Sequence, residues 1–174
     1  MTVEQLKKLQ APLKEKYRQD PQSAIITLRA EGKLSEGISC SIQTGKALVE
    51  AGLHPATGGT GALACSGDML LEALAACAGV TLNAVATAIE VHIKDAMVKV
   101  EGDLDFRGTL GVAKDAPVGF KEIRINFNID TEATNEKIET LMKLTERYCV
   151  VYQTLKSGVD LKINMQTHTS TDAI

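Results

Sequence analysis

The chain has 174 residues, a length typical of one domain, and its 44% hydrophobic and 24% charged residues are ordinary globular values. The net charge of −3 argues against a general nucleic-acid surface, because phosphate binding requires clustered Lys and Arg. Aromatic residues make up only 3%, so the core must be built from Ala, Val, Ile and Leu. No basic segment followed by an apolar one opens the chain, so we expect no secretory signal and a cytoplasmic protein.

The first 19 residues have the apolar periodicity of a helix. Pro12 should kink or divide this helix, and Asp20-Pro21 should end it. A hairpin is predicted next, with one strand over residues 24–30, a turn over 31–37, and a second strand in which Ile38, Cys40 and Ile42 alternate with polar residues. Residues 44–67 then read as a long loop, with a short helical turn near 47–51.

Residues 66–90 form the longest predicted helix, with Ser66 as its N-cap. Residues 73–89 carry no charge, which is close to the lower limit for a membrane span. The stretch contains several polar residues and is flanked by Glu72 and Glu90, so a buried helix is favoured over a membrane helix. Because a helix that is apolar nearly all round cannot lie on a surface, we expect a sheet and a second subunit to cover it.

The second half of the chain is predicted to contain two more strands, an amphipathic helix, a short helix and a last strand. These elements cover residues 94–106, 123–129, 131–147, 150–155 and 159–165, with a connecting loop over 107–120. The order of helices and strands indicates an α+β fold with an antiparallel-leaning sheet.

Four cysteines, Cys40, Cys65, Cys77 and Cys149, lie far apart, and none belongs to a C-x-x-C pair. The three histidines are scattered as well, so no zinc pattern is present and we expect no metal or cofactor. In a reducing compartment structural disulfides are rare, so the cysteines are either small buried hydrophobes or redox-active thiols. Cys40 is more typical of a core position, and Cys65 and His54 are more typical of a loop.

Two cysteines have contexts that bear on chemistry. Cys77 lies in the middle of the apolar helix, where a cysteine is by default a small core residue. Cys149 begins a helical turn whose free N–H groups favour a thiolate, and Arg147 and Lys156 lie near in sequence. Because reaction with a peroxide requires the thiolate, the physical chemistry of the chain alone favours Cys149 as the reactive residue.

The stretch L-L-E-A-L-A-A-C over residues 70–77, preceded by Gly58-Gly59 and followed later by Tyr148-Cys149 and Thr154-Leu155, resembles the OsmC/Ohr superfamily. These are the osmotically inducible protein C and organic hydroperoxide resistance proteins. The similarity covers roughly residues 22–168. It implies a helical extension over 1–21, an OsmC-like domain over 22–174, and an intertwined homodimer whose sheets wrap around the long buried helix.

The resemblance also implies a thiol peroxidase that reduces organic hydroperoxides in oxidative stress defence. Cys77 would match the peroxidatic residue, which becomes a sulfenic acid. Cys149 would match the resolving residue, which forms a disulfide with it. A dithiol reductant, in the family typically a lipoyl-bearing protein, would restore both thiols.

The sequence departs from the family pattern at two positions. Many members carry a Glu ten residues before the first cysteine, paired with an Arg that activates the thiolate, and here that position is Gly67. Asp68 and Glu72 are the candidate replacements, and Arg29 is the candidate arginine. The residue after the second cysteine is often Pro, and here it is Val150.

Two non-enzymatic functions remain open. The apolar dimer interface could hold an apolar ligand, with the cysteines merely lining a pocket. Alternatively, the chain could be an interaction or structural protein without a site. The enzyme hypothesis requires Cys77 and Cys149 to lie close together, so side chains that point apart would argue against it.

Overall fold

The computed structural model describes residues 3–35, 39–42 and 51–166, with side chains over residues 8, 10–26 and 52–166. The helices are α1 (Val3–Gln19), α2 (Ser66–Ala88), α3 (Phe106–Thr109), α4 (Asn135–Tyr148) and α5 (Val150–Ser157). The strands are β1 (Ile25–Ser35), β2 (Ser39–Ile42), β3 (Ala51–Gly52), β4 (Ala64–Cys65), β5 (Asp95–Asp105) and β6 (Phe120–Asp130). Single 3₁₀ turns lie at Pro21–Ala24 and Pro55–Thr57.

The main sheet has four strands in the order β2-β1-β5-β6, and every pairing within it is antiparallel. A small parallel pair, β3-β4, precedes the long helix. The predicted mixture of helices with an antiparallel sheet is therefore confirmed. Along β5 the apolar residues Ala96, Val98 and Val100 are buried on one face, as their alternation with exposed or half-buried neighbours predicts.

The helix α2 packs against the sheet and supplies much of the core. Its buried residues are Leu71, Leu74, Ala75, Ala78, Gly79, Leu82, Val85 and Ala86. Among the described residues, α2 is the one helix that is long and apolar enough to cross a membrane. Of its most apolar 18-residue window, 44% is buried inside the protein. Its N-cap is Cys65 rather than the predicted Ser66, and no side chain caps it. Ser66 is instead the first helical residue.

The N-terminal helix α1 runs through Pro12, so of the two expected effects, a kink or a division, the division does not occur. Contacts on both sides of the proline hold the helix against the body of the protein. Tyr17 is buried and donates a hydrogen bond from its hydroxyl to the Ala56 carbonyl, at 2.7 Å. Gln10 donates from Nε2 to the Thr57 carbonyl, at 3.2 Å. As predicted, the helix ends before Asp20-Pro21.

The hairpin is longer than predicted. Residues 31–35 continue β1 and pair with both β2 and β5, where a turn over 31–37 was expected. The two strand neighbours satisfy the backbone groups of this segment, which overrides the turn preference of Gly32. Cys40 lies in β2 opposite Leu34, and the direction of its side chain falls outside the described residues. The helical turn predicted near 47–51 also falls outside them except for Ala51, which lies in β3.

Two further expectations are wrong. The segment predicted as a loop over 107–120 begins with the short helix α3, whose first turn is capped by Asp105 through the Arg107 amide. Residues 159–165, predicted as a last strand, form no strand within the described part of the chain. Their alternating apolar side chains are exposed, Ile163 to 96%. Alternation of apolar and polar residues suits a segment to a β-strand. The strand forms only where the edge of another strand is available to pair with it.

Candidate active site

Cys77 occupies the middle of α2. The helix is rich in Ala and Leu, which have high helix propensity, so the backbone around the cysteine is regular. The thiol is half-buried, and its side chain packs against the hydrophobic core that includes Leu74 and Ala78. This position fixes the sulfur on a rigid element while leaving part of it accessible.

Cys149 lies at the junction between α4 and α5. It is the C-terminal cap of the first helix and the N-cap of the second, and it is only 1% exposed. Its amide donates to the Thr145 carbonyl at 3.0 Å, and its carbonyl accepts from the Gln153 amide at 2.9 Å. Both backbone groups are therefore satisfied, so the junction holds the thiol in a fixed place.

The two thiols meet. Cys77 packs against the core cluster that contains Cys149 and acts on its thiol, and both cysteines are free of disulfides. Burial is the main cause that raises the pKa of Cys149 to about 11, and neighbouring Cys77 contributes to the same shift. The amides of Tyr152 and Val151 act in the opposite direction and do not compensate.

The prediction that Cys149 is the thiol poised as a thiolate is therefore wrong. The free amides at the start of α5 do favour the charged form, but loss of water around the sulfur outweighs them. The two nearby cations are also engaged elsewhere. Arg147 lies over the ring of Tyr148, and Lys156 forms an ion pair with Glu146 at 2.6 Å. At neutral pH Cys149 is a protonated thiol.

Asp68 and Glu72 lie in the first turns of α2 and share one side of it, because they are four residues apart. Asp68 and Cys77 are separated by nine residues, about two and a half turns of a helix with about 3.6 residues per turn. Asp68 therefore lies on the opposite face from Cys77. Burial raises the pKa of Asp68, and burial together with the charge of Asp68 raises that of Glu72.

Arg29 lies in β1, where its backbone is opposite Glu101 of β5. Its side chain is outside the described set. Two other arginines, which the sequence gave no reason to single out, form close ion pairs. Arg107 binds the buried Asp105, and Arg124 contacts Asp103 through two nitrogens, at 2.8 and 3.0 Å. Asp105 has a lowered pKa because Arg107 donates hydrogen bonds to it. These pairs connect neighbouring parts of the sheet region.

His54, expected to be an ordinary loop residue, lies beside the start of α2. Its ring stacks on buried Phe106 with 4.9 Å between centroids, and its Nδ1 accepts from the Ala56 amide. It also interacts electrostatically with Asp68 and lowers the pKa of that carboxyl, although burial dominates. The sequence signal was His54-Pro55, in which the histidine can cap the turn that the proline begins.

A cavity of about 650 Å³ lies between α2, β6, α4 and α5. Cys149 is among its lining residues, and Cys77 is not. Sequence reasoning missed this cavity because its walls come from four separate elements. Over residues 3–35, 39–42 and 51–166, no group of three or more His, Cys, Asp or Glu residues is arranged to hold a metal ion.

Comparison with known proteins gives the family. The model of the OsmC-like protein family matches residues 59–164, more than half of the chain, and this protein belongs to that family. Among curated proteins, none matches the chain significantly.

Solved structures agree on the fold. One is an OsmC-like hydroperoxide resistance protein from Jannaschia sp. CCS1, with 18% identity, a TM-score of 0.57, and coverage of 86% of this chain and 97% of that one. Another is an OsmC-like protein from Mycoplasma pneumoniae, with 21% identity, a TM-score of 0.55, and coverage of 77% and 86%. At these identities the likeness concerns the fold alone.

Proposed function

We propose that this protein is a cysteine-based thiol peroxidase that reduces organic hydroperoxides. The observation that carries the proposal is that Cys77 and Cys149 pack in the same core cluster and that Cys77 acts on the Cys149 thiol. A disulfide between them requires their Cα atoms to lie within about 7 Å, and neighbouring residues of one core cluster can meet that requirement. Membership of the OsmC-like family and the fold likeness to a hydroperoxide resistance protein from Jannaschia sp. CCS1 support the same chemistry.

The proposed reaction has three steps. The Cys77 thiolate attacks the O–O bond of the hydroperoxide, its sulfur takes one oxygen as a sulfenic acid, and the leaving alkoxide takes a proton to become an alcohol. The Cys149 thiol then condenses with the sulfenic acid, which forms the S–S bond and releases water. A dithiol reductant exchanges with that disulfide, restores both thiols and is itself oxidised to a disulfide.

The different environments of the two thiols fit different roles. Cys77 is half-buried, so a peroxide can reach it, whereas Cys149 is shielded from solvent. A raised pKa keeps Cys149 protonated, so it does not compete for the peroxide. When Cys77 becomes a sulfenic acid, the Cys149 thiol can react with it and form the disulfide.

Of the three candidate activating residues, the proposal keeps Arg29 as the one that stabilises the Cys77 thiolate. A guanidinium stays charged at neutral pH and favours a neighbouring anion. Asp68 and Glu72 are less suited, because carboxylates oppose a nearby thiolate and Asp68 lies on the opposite face of α2. In the assay below, Arg29→Gln should slow the reaction of Cys77, and an unchanged rate would remove Arg29 from the mechanism.

The proposal includes an intertwined homodimer. The helix α2 leaves Met69, Leu70 and Val80 more than a third exposed. The segment 159–165 adds four exposed apolar side chains at alternating positions, and β6 is an edge of the four-stranded sheet within the described residues. Burying these surfaces against a second copy would cover α2 and give the alternating segment a strand to pair with.

The reductant and compartment follow from the chemistry of the disulfide. A small or protein-bound dithiol, such as a lipoyl group, reduces a disulfide efficiently because its own ring closes on oxidation. We place the protein in the cytoplasm, where such reductants keep thiols reduced. Faster recycling by dihydrolipoamide than by glutathione, and recovery in the soluble cytoplasmic fraction of cells, would support both points. The opposite results would contradict them.

The function is tested by single-turnover consumption of cumene hydroperoxide by the reduced protein. The wild type should consume one equivalent per subunit, and Cys77→Ser should consume none. Cys149→Ser should still consume one equivalent and should leave a sulfenic acid on Cys77 that dimedone traps. Cys65→Ser is the matched control and should behave as wild type. Absence of consumption by the wild type would instead favour a non-enzymatic dimer that binds an apolar ligand at the subunit interface.

A further inference from the structure

Helix α1 is attached to the body of the protein through one short turn. Both hydrogen bonds that the described side chains of α1 donate to the body end on carbonyls of the 3₁₀ turn Pro55–Thr57. Tyr17 donates to the Ala56 carbonyl, and Gln10 donates to the Thr57 carbonyl. Because both acceptors belong to a turn of three residues, the attachment of α1 depends on the conformation of that turn.

His54 holds this turn in shape. Its carbonyl accepts hydrogen bonds from the Thr57 amide at 2.8 Å, the Thr57 hydroxyl at 2.9 Å and the Gly59 amide at 3.1 Å. Its ring nitrogen Nδ1 accepts from the Ala56 amide at 3.0 Å, and the ring stacks on buried Phe106. The imidazole therefore caps the turn, and the stacking holds the ring in the orientation that the cap requires.

The hydrogen bond to Nδ1 depends on the protonation state of the imidazole. A ring nitrogen accepts a hydrogen bond only while it carries no proton, so this cap requires the neutral ring with its proton on Nε2. A proton added at Nδ1 would face the Ala56 N–H group, and the cap would be lost. Because an imidazole ordinarily changes charge between about pH 5 and pH 8, we expect this loss in mild acid.

One charged group beside His54 favours its protonated form. Asp68, in the first turn of α2, interacts electrostatically with the imidazole, and a carboxylate stabilises a neighbouring cation. In α3, Asp105 and Arg107 flank Phe106 in sequence and form an ion pair with each other, so their charges largely cancel at His54. The charge that remains near the ring is therefore that of Asp68.

The other elements next to the turn add no charge that would oppose this effect. Helix α1 bonds to the turn through uncharged side chains, those of Gln10 and Tyr17. The small β3–β4 pair contains one titratable group, the Cys65 thiol, which gains no charge as the pH falls. Acidification therefore changes the charge at His54 without a competing cation from these elements.

We propose that protonation of His54 releases α1 from the body of the protein, so that α1 is an acid-sensitive cover. The loss of the cap would displace the two carbonyls to which α1 is bonded. Tyr17 belongs to the same core cluster as Leu74, and Leu13 and Cys77 pack against that cluster, so release of α1 would expose it. The inference does not depend on the peroxidase reaction, because it concerns only the attachment of α1.

Hydrogen–deuterium exchange of the full-length protein tests the proposal. Exchange is expressed as protection factors, so that the intrinsic dependence of amide exchange on pH cancels. Between about pH 7.5 and about pH 5.5, the protection of the α1 amides should fall about fivefold to tenfold, whereas that of β5 should change less than about twofold. Unchanged protection of α1 would overturn the proposal, and so would an equal fall in β5, which would indicate loosening of the whole protein.

Three variants assign the effect to His54. His54→Asn keeps a side-chain oxygen that can cap the turn and does not titrate in this range, so α1 should stay protected at both pH values. His92→Asn, at an exposed histidine outside the turn, should keep the wild-type fall. Asp68→Asn removes the carboxylate that favours the protonated ring and should move the midpoint of the fall to lower pH. A wild-type fall in His54→Asn, or loss of the fall in His92→Asn, would contradict the proposal.

Discussion

Cys149, at the α4–α5 junction, and Cys77, in the middle of α2, pack in the same core cluster, where Cys77 acts on the Cys149 thiol. The pair combines one half-buried thiol with one that is almost wholly buried. Because burial raises the pKa of Cys149 to about 11, the folded state binds the proton of this thiol more tightly than the unfolded chain does. The stability of the protein must therefore depend on pH in the alkaline range.

The first prediction is a loss of stability between about pH 9 and pH 11. A thiol whose pKa is raised by folding stabilises the folded state fully below its ordinary value of 9.0 and loses that contribution as the pH rises through about 11. The contribution of Cys149 should be on the order of 2 kcal/mol. Urea unfolding of the reduced protein at a series of pH values measures it.

The matched variants for this measurement are Cys149→Ala and Cys65→Ala. The first should flatten the alkaline decline relative to wild type, and the second should keep the wild-type slope because Cys149 is still present. If the free energy of unfolding declines equally with pH in wild type and Cys149→Ala, the decline does not come from Cys149. That result would contradict a raised pKa for this thiol.

A second prediction concerns the attachment of the N-terminal helix. Tyr17→Phe removes the hydroxyl that donates to the Ala56 carbonyl and should lower the free energy of unfolding by about 1 to 1.5 kcal/mol. Tyr148→Phe is the control, since Tyr148 is more than half exposed, and it should change stability by less than about 0.5 kcal/mol. Chemical denaturation measures both, and similar values for the two variants would refute an anchoring role for Tyr17.

A third prediction uses two glycines of the segment between β5 and β6. A Cβ added at Gly108 would press on the carbonyl oxygens of Ala116 and Pro117, which belong to the backbone and cannot rotate away. Gly108→Ala should therefore destabilise the protein by about 1 to 3 kcal/mol. A Cβ at Gly119 would meet nothing within 4 Å, so Gly119→Ala should be neutral or slightly stabilising. Thermal unfolding distinguishes them, and a harmless Gly108→Ala would contradict this packing.

A fourth prediction addresses the proposed dimer. Val80 lies on the exposed side of α2, and Val80→Lys would place a charge in an interface that buries this face. Sedimentation velocity should show a dimer for wild type and a shift toward monomer for Val80→Lys. Val118→Lys, at an exposed apolar residue of the β5–β6 connection, should remain dimeric. A monomeric wild-type protein would contradict the proposed dimer.

Much of the fold is predictable from the sequence because it depends on local periodicity. The alternation in β5 and β6 and the long apolar run of α2 identify these elements without knowledge of their neighbours. The segment 159–165 has equally clear alternation and forms no strand in the described residues, since pairing depends on an edge that the segment's own sequence cannot supply. The segment 31–35 shows the converse, because two neighbouring strands extend β1 through a predicted turn.

For the candidate site, the sequence alone favours Cys149, and only the resemblance to the OsmC/Ohr superfamily pairs it with Cys77. In the structure the two cysteines pack in one core cluster, and their roles stay a prediction. Which thiol ionises more easily depends on burial, and burial of Cys149 results from packing between distant elements. The cavity is of the same kind, because it results from side chains brought together from separate parts of the chain.

The most direct test of the central claim is disulfide mapping after the reduced protein reacts with one equivalent of cumene hydroperoxide. Peptide mass spectrometry of the wild type should find a single new bond, between Cys77 and Cys149. That bond should be absent from Cys77→Ser, and Cys65→Ser should form it as wild type does. Unchanged thiols in the wild type, or a disulfide that joins other cysteines, would contradict the account.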